Sequence, residues 1–211
     1  TLPASVPVAR MVDPAMNAAM AETALWAVLS LHRGFFDCAV QQQARTWHQA
    51  PQRRADEVPV LVLGCGQMGR AAAQRLAQQG YPVVAWSRSG EGPAVPGVDR
   101  VQGEAALRAA AAGTRIVVNL LPLTAETRGL LDARLFDALP RGACIVNLAR
   151  GAHLVDADLL SAQSRELGQK MMELESRAHA EAGQPFNLNS PKQIAEIFFE
   201  QKGMPVVKKT P

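Results

Sequence analysis

No lysine precedes Lys170; all fifteen cationic side chains before Ser164 are arginine, and five lysines with two arginines follow. Usage this uneven places a compositional boundary near residue 160. Cysteine is scarce as well. Cys38, Cys65 and Cys144 are odd in number and lack paired or metal-ligand spacing. That argues against a disulfide framework or a zinc site and for a reducing, cytoplasmic setting. No apolar run approaches membrane-spanning length. The N-terminus has no basic segment followed by an apolar core, so nothing reads as a signal peptide. The chain opens on Thr1 and not on methionine, as a fragment or a trimmed chain does. A basic stripe is missing too. Residues 1–57 hold five Arg and five acids, 58–163 ten Arg and eight acids, and 164–211 seven cations and six acids. The net charge of +3 is therefore spread as a mixed solvated surface, and nucleic acid is not the expected partner.

What is present is ordinary globular material, 48% apolar and 19% charged over 211 residues, without repeats or low-complexity tracts. Asp13-Pro14 has the form of a helix cap with proline in the first turn. Met16, Met20, Ala24, Ala27 and Leu31 follow at helical spacing, a stripe that suits core or subunit interface better than a cofactor box. A second helical stretch runs from Phe35 to Trp47, and Pro51–Glu57 reads as a linker. From Val58 strands alternate with helices. Strands are expected at Val60–Leu63, Pro82–Trp86, Val98–Val101, Arg115–Leu121 and Cys144–Leu148. Helices are expected at Gln67–Gln79, Glu104–Ala112 and Asp132–Leu139. Five strands alternating with helices predict an α/β fold, a doubly wound Rossmann-type parallel sheet. After Asp156 the strands stop. Leu160, Leu167, Met171, Leu174 and Ala178 mark a long amphipathic helix, weakest at Gly168. Ser190-Pro191 then caps and starts another helix, which carries Ile194, Ile197 and Phe198 and ends at Gly203. The division is a helical lead-in over 1–57, a dinucleotide-binding domain over 58–156 and a helical tail over 157–211.

The sharpest motif is Gly64-Cys65-Gly66-Gln67-Met68-Gly69, placed after a strand and opening a helix. Gly64 permits a tight turn, Gly66 lets a pyrophosphate approach the backbone, and Gly69 lets helix and strand pack closely. The free N–H groups of the helix N-terminus then face the phosphates. A purely structural glycine turn is the alternative. NAD sites usually place an acid about 20 residues further on, for the ribose 2′-hydroxyl. Here Trp86 is followed by Ser87, Arg88 and Ser89, and the nearest acid is Glu91. An arginine between two hydroxyls suits a 2′-phosphate, which a carboxylate would repel, so NADP is expected rather than NAD. The alternative is a solvated turn arginine. Two further stretches, Asn119–Thr124 and Asn147–Gly151, end strands where a cofactor would lie. Either is equally a plain strand-to-turn transition, and Arg150 equally an exposed basic residue.

Residues 58–160 resemble the cofactor domain of D-isomer-specific 2-hydroxyacid dehydrogenases, glyoxylate/hydroxypyruvate reductases in particular. The resemblance rests on Val62-Leu-Gly-Cys-Gly-Gln-Met-Gly69, Trp86-Ser-Arg88, Asn119-Leu-Leu-Pro-Leu-Thr-Ala-Glu-Thr127 and Val146-Asn-Leu-Ala-Arg-Gly151. Residues 5–57 resemble the segment entering that domain. The resemblance implies that Arg150 holds the substrate carboxylate and polarises its carbonyl. It implies that Leu121, Pro122 and Leu148 border the cofactor and that Gln67 and Met68 cover the pyrophosphate. The reaction implied is hydride transfer from NADPH to a small 2-keto acid. The family's proton donor is a histidine tuned by a glutamate, both downstream of the arginine. His153 and His179, the histidines downstream here, do not sit in the family's Pro-His context. His153, just after the Arg150-Gly151 pair, reads as structural, while His32 and His48 match nothing catalytic. A catalytically incomplete cofactor module is expected, since the substrate oxygen needs a proton.

The tail is similar to a different family. Leu174–Gly183, Phe186–Gln193 and Lys208–Pro211 resemble family A DNA polymerase I at the start of its polymerase region. None of that family's catalytic carboxylates is included. The chain thus reads as a chimera with its crossover within Leu154–Leu160. A nucleic-acid-binding polymerase fragment and a non-catalytic NADP-binding protein stand as the other readings. A strand edge left open after Asp156 predicts association, through the N-terminal helices as well, and a homo-oligomer is expected.

Overall fold

The computed structural model describes residues 12–90, 92–188 and 190–203. Glu91, Asn189 and the segments 1–11 and 204–211, with Lys208 and Lys209, lie outside the described residues. The chain divides into two compact units between Leu159 and Leu160.

In the first unit, Asp13 caps helix α1 (Pro14–His32), its carboxylate accepting from the Ala15 N–H at 2.9 Å, with Pro14 in the first turn. Helix α2 (Phe35–Gln43) stops four residues short of the expected Trp47. The reason is backbone geometry: Arg45 takes φ 51, a left-handed stop that usually falls to glycine. The alternating region then forms β1 (Val60–Leu63), α3 (Gln67–Gln78), β2 (Val83–Ser87), β3 (Val98–Gln102), α4 (Gly103–Ala112), β4 (Ile116–Asn119), α5 (Ala133–Ala138) and β5 (Cys144–Asn147). All ladders are parallel and the strand order is β3-β2-β1-β4-β5. Each expected strand and helix of this region is present, with ends shifted by one or two residues.

Both faces of the sheet are covered, which is why its central strands read as unbroken apolar runs. Side chains alternate across β1. Val60 and Val62 join Val83, Ala85, Ile116 and Val118 under α1 and α3, against Ala24, Val28, Ala72, Ala73 and Leu76. Leu61 and Leu63 face the other way, with Trp86, Val117, Leu107, Ala111, Leu131 and Leu135. Each fully buried leucine here contributes about 2 kcal/mol. The order reverses between β1 and β4, and a crevice opens at the carboxyl ends of the strands there.

Helix α6 (Asp156–Ala182), in the second unit from Leu160 on, forms where the apolar spacing predicts a helix, and most of its stripe is exposed. Leu160, Leu167, Met171 and Leu174 are 64, 62, 70 and 52% exposed. Periodicity identifies a face; it does not supply what covers it. Ser190 caps helix α7 (Pro191–Ala195), its hydroxyl accepting from the Gln193 N–H, with Pro191 first in the helix as expected. A π-type turn over Glu196–Gln201 continues it. Ile197 is buried, and the His179 and Phe198 rings both meet Phe186 edge-on.

Candidate functional site

The glycine motif lies between the end of β1 and the first turn of α3. Gly64 has φ 110, and its Cα faces the Leu120–Leu121 peptide, so a side chain there would meet backbone at 3.0 Å. At Gly69 a Cβ would overlap the Gly64 carbonyl oxygen, so the close approach of helix to strand requires hydrogen at that position. Gly66 faces open space and caps α3 without a side-chain bond. The N–H groups that follow it have no intrahelical acceptor, and the residues that carry them border the crevice.

That crevice is a cleft of about 740 Å³. Its walls bring together Gly66, Gln67, Met68, Gly69, Leu121, Pro122, Leu148 and Arg150, eight of the residues singled out from the sequence. Asp13, Met16, Asn17 and Met20 of the α1 end form another wall. The apolar stripe of α1 divides between this wall and the core. Its first two members border the cleft, whereas Ala24 and Ala27 are buried. The stripe was legible as a helix face, but its distance from the glycine turn depends on how α1 crosses α3.

Two asparagines unassigned from the sequence fix the turns whose residues line the cleft. Asn119 is wholly buried and donates through Nδ2 to Asn147 Oδ1 at 3.0 Å, while its own Oδ1 accepts from the Leu121 N–H at 3.2 Å. Asn147 Oδ1 also accepts from the Ala149 N–H, and its Nδ2 donates to the Arg150 carbonyl. The parallel register places these two residues opposite each other, so one amide pair fixes the turns after both β4 and β5. Thr127 and His153 hold the same turns from beneath. The Thr127 hydroxyl donates to the Pro122 carbonyl at 2.7 Å. His153 is fully buried, with Nε2 at 3.3 Å from the Pro122 carbonyl and Nδ1 at 2.9 Å from the Arg150 carbonyl. A histidine engaged with backbone at both nitrogens has a structural place, as its sequence context suggests. The Arg150 side chain itself is exposed at the cleft rim and touches the Ala149 carbonyl at 3.3 Å.

Ser87, Arg88 and Ser89 lie outside the cleft walls, at the carboxyl end of β2. Trp86 pairs with Leu63 across the ladder, so this turn leaves the strand next to the one that carries the glycine motif. Arg88 forms an ion pair with Glu126 at 3.3 Å, both side chains being more than half exposed. The Thr124 hydroxyl, the Glu126 backbone N–H and then the Arg88 charge hold the Glu126 carboxyl below its ordinary value. His32 bridges Tyr81 and the Arg53 carbonyl, and His179 contacts the Phe186 carbonyl. Among the described residues no three His, Cys, Asp or Glu side chains form a metal cluster, and no helix is long and apolar enough to cross a membrane.

A parallel α/β sheet with a glycine turn at its switch point defines a Rossmann-type nucleotide-binding module. Residues 25–172 match the D-isomer specific 2-hydroxyacid dehydrogenase, NAD binding domain, and the chain belongs to that family. A glyoxylate/hydroxypyruvate reductase A from Klebsiella pneumoniae subsp. pneumoniae is 40% identical over 177 residues, covering 83% of this chain and 56% of that protein. The chain therefore spans about half the length of the curated relatives it matches. A D-isomer specific 2-hydroxyacid dehydrogenase family protein from Klebsiella pneumoniae 342 superposes with a TM-score of 0.73 at 39% identity, over 77% of this chain and 52% of that one. An NADPH-dependent glyoxylate/hydroxypyruvate reductase from Sinorhizobium meliloti, solved with NADP and sulfate, gives 0.70 at 33% identity, over 76% and 52%. Residues 157–211 also match DNA polymerase family A.

Proposed function

We propose that this chain is the NADP(H)-binding module of a reductase acting on a small 2-keto acid of the glyoxylate or hydroxypyruvate kind. The observation that carries the reading is the cleft at the switch point, bordered by Gly66–Gly69 on one side and Arg150 on the other. Gly64, Gly66, Gln67, Met68 and Gly69 would hold the pyrophosphate, and Leu121, Pro122 and Leu148 would border the nicotinamide half. Ser87, Arg88 and Ser89 would take the 2′-phosphate. When bound, the cofactor supplies the hydride. Arg150 would grip the substrate carboxylate and stabilise charge developing on the carbonyl oxygen. The alcohol product also requires a proton at that oxygen. Three of the four histidines, His32, His153 and His179, are engaged with backbone carbonyls, and we read the chain as binding cofactor without turnover of its own. A non-catalytic NADP-binding role uses the same pocket.

Fluorescence titration of the 211-residue chain with NADPH and NADH tests this. Saturable binding with an NADPH preference is expected, together with no glyoxylate-dependent oxidation of NADPH. Equal binding of both nucleotides would overturn the NADP assignment, and no binding by a folded chain would overturn the cofactor reading.

The polymerase-like match over 157–211 favours a second reading for the tail alone, a chimeric joint after the cofactor module. Its near balance of charge is expected to give no salt-dependent shift of duplex DNA. Cys38, Cys65 and Cys144, none of them in a disulfide, suit a reducing, cytoplasmic setting, and exposed Trp26, Phe35, Phe36 and Val40 suit a homo-oligomer.

A further inference from the structure

The turn that leaves β2 is held from a strand outside the nucleotide motif. Arg100 lies in the middle of edge strand β3, in register with Ala85 of β2. Its guanidinium donates through Nη1 to the Gly92 carbonyl at 2.5 Å and through Nη2 to the Gly90 carbonyl at 2.7 Å. Gln102, two residues along the same strand face, lies against Gly90, where a Cβ would overlap its amide. Gly90 and Gly92 take φ 69 and 105. At the root of the turn, Ser87 Oγ accepts from the Gly90 N–H at 3.1 Å. Arg88 and Ser89 are therefore enclosed by a turn closed at Ser87 and pinned beyond by Arg100. Arg70, from the first turn of α3, lies near as well, its Nη1 3.3 Å from where a Gly92 Cβ would stand.

A turn with two left-handed glycines is permissive and holds no single shape by itself. A forked guanidinium bonded to two carbonyls removes that freedom with charge-assisted bonds, and a lysine cannot reproduce the fork. We propose that Arg100 is a positioning residue for the cofactor 2′-phosphate. By fixing the Gly90 and Gly92 carbonyls it presets Ser87, Arg88 and Ser89, and it adds a fixed positive charge behind the turn. This rests on the NADP reading above. An adenosine ribose without the phosphate gains little from the preset turn, so the effect belongs to NADPH and not to NADH.

The test compares the unchanged chain with R100M and R100K, titrating each with NADPH, NADH and 2′,5′-ADP. R100M is expected to weaken NADPH and 2′,5′-ADP by about tenfold, the scale of a lost charged hydrogen bond, and to leave NADH within about twofold. R100K is expected to fall between. An unchanged NADPH-to-NADH ratio in R100M, or an equal loss of both nucleotides, overturns the proposal. If R100M binds neither nucleotide, R100K decides: a lowered ratio supports the proposal and an unchanged one overturns it. Equal binding of NADPH and NADH by the unchanged chain is a separate result, and sinks the NADP reading itself.

Discussion

Glu126 forms an ion pair with Arg88, the arginine proposed for the 2′-phosphate. Its carboxyl is held below the ordinary 4.5, first by the Thr124 hydroxyl, so it stays charged at neutral pH. A depressed carboxyl stabilises the fold above its unfolded value and loses that contribution as pH falls through the lower folded value. Near neutrality the carboxylate therefore competes for Arg88 with a phosphate proposed to bind there, and repels it. E126Q is therefore expected to tighten NADPH by a few fold, roughly the range of an exposed ion pair, without changing NADH. Weaker NADPH binding in E126Q would instead make Glu126 an organiser of the turn. Competition of this kind is invisible in sequence. Arg88 and Glu126 are far apart in the chain, and only the folding of the segment after β4 brings them together. The glycines were legible because their spacing and flanking elements carry a steric requirement. The Asn119–Asn147 pair was not, since it depends on the register of β4 against β5.

Among elements, α1 shows how much of a site a pattern can hide. Its helical period, Asp13 cap and Pro14 start were all readable, yet the end that reaches the cleft was not. Crossing geometry decides that, and the small residues Ala24 and Ala27 permit a close crossing. The far end of α1 is anchored by a polar chain: Tyr81 meets His32 Nδ1 at 2.8 Å, and His32 Nε2 meets the Arg53 carbonyl at 2.9 Å. Burial pushes the Tyr81 phenol up, partly offset by Arg33, so it remains a neutral O–H donor to His32. Y81F removes that donor while keeping the ring. The expected cost is about 1 kcal/mol, read as a lower urea midpoint with an unchanged slope. A midpoint equal to that of the unchanged chain would mean that the edge-on ring contact alone holds the two elements together. The ends of α2 and the exposure of α6 eluded sequence for another reason. An arginine, not a glycine, takes the left-handed stop at Arg45, and the leucines of the α6 stripe stay more than half exposed.

For the whole molecule, the consequence of this architecture lies at its edges. β5 ends the sheet, and among the described residues no strand pairs its outer side. Cys144, Ile145 and Val146 on it are only half-buried, whereas all four residues of β4 are buried. An unpaired, apolar strand edge is a template for another chain. Trp26, Phe35, Phe36 and Val40 add an exposed apolar face elsewhere on the same unit, with Trp26 and Phe36 in edge-on contact. Both features favour association of the 211-residue chain, so light scattering is expected to show a mass above one chain that rises with concentration. Neither surface lines the cleft proposed for NADPH. Saturation at a hundred times its dissociation constant should add about 2.7 kcal/mol to stability while leaving the mass distribution as it was. A clean monomer at every concentration would mean that the open edge is protected in solution. A monomer appearing only with NADPH would place the association at the cleft, and would move the explanation from the strand edge to the nucleotide site.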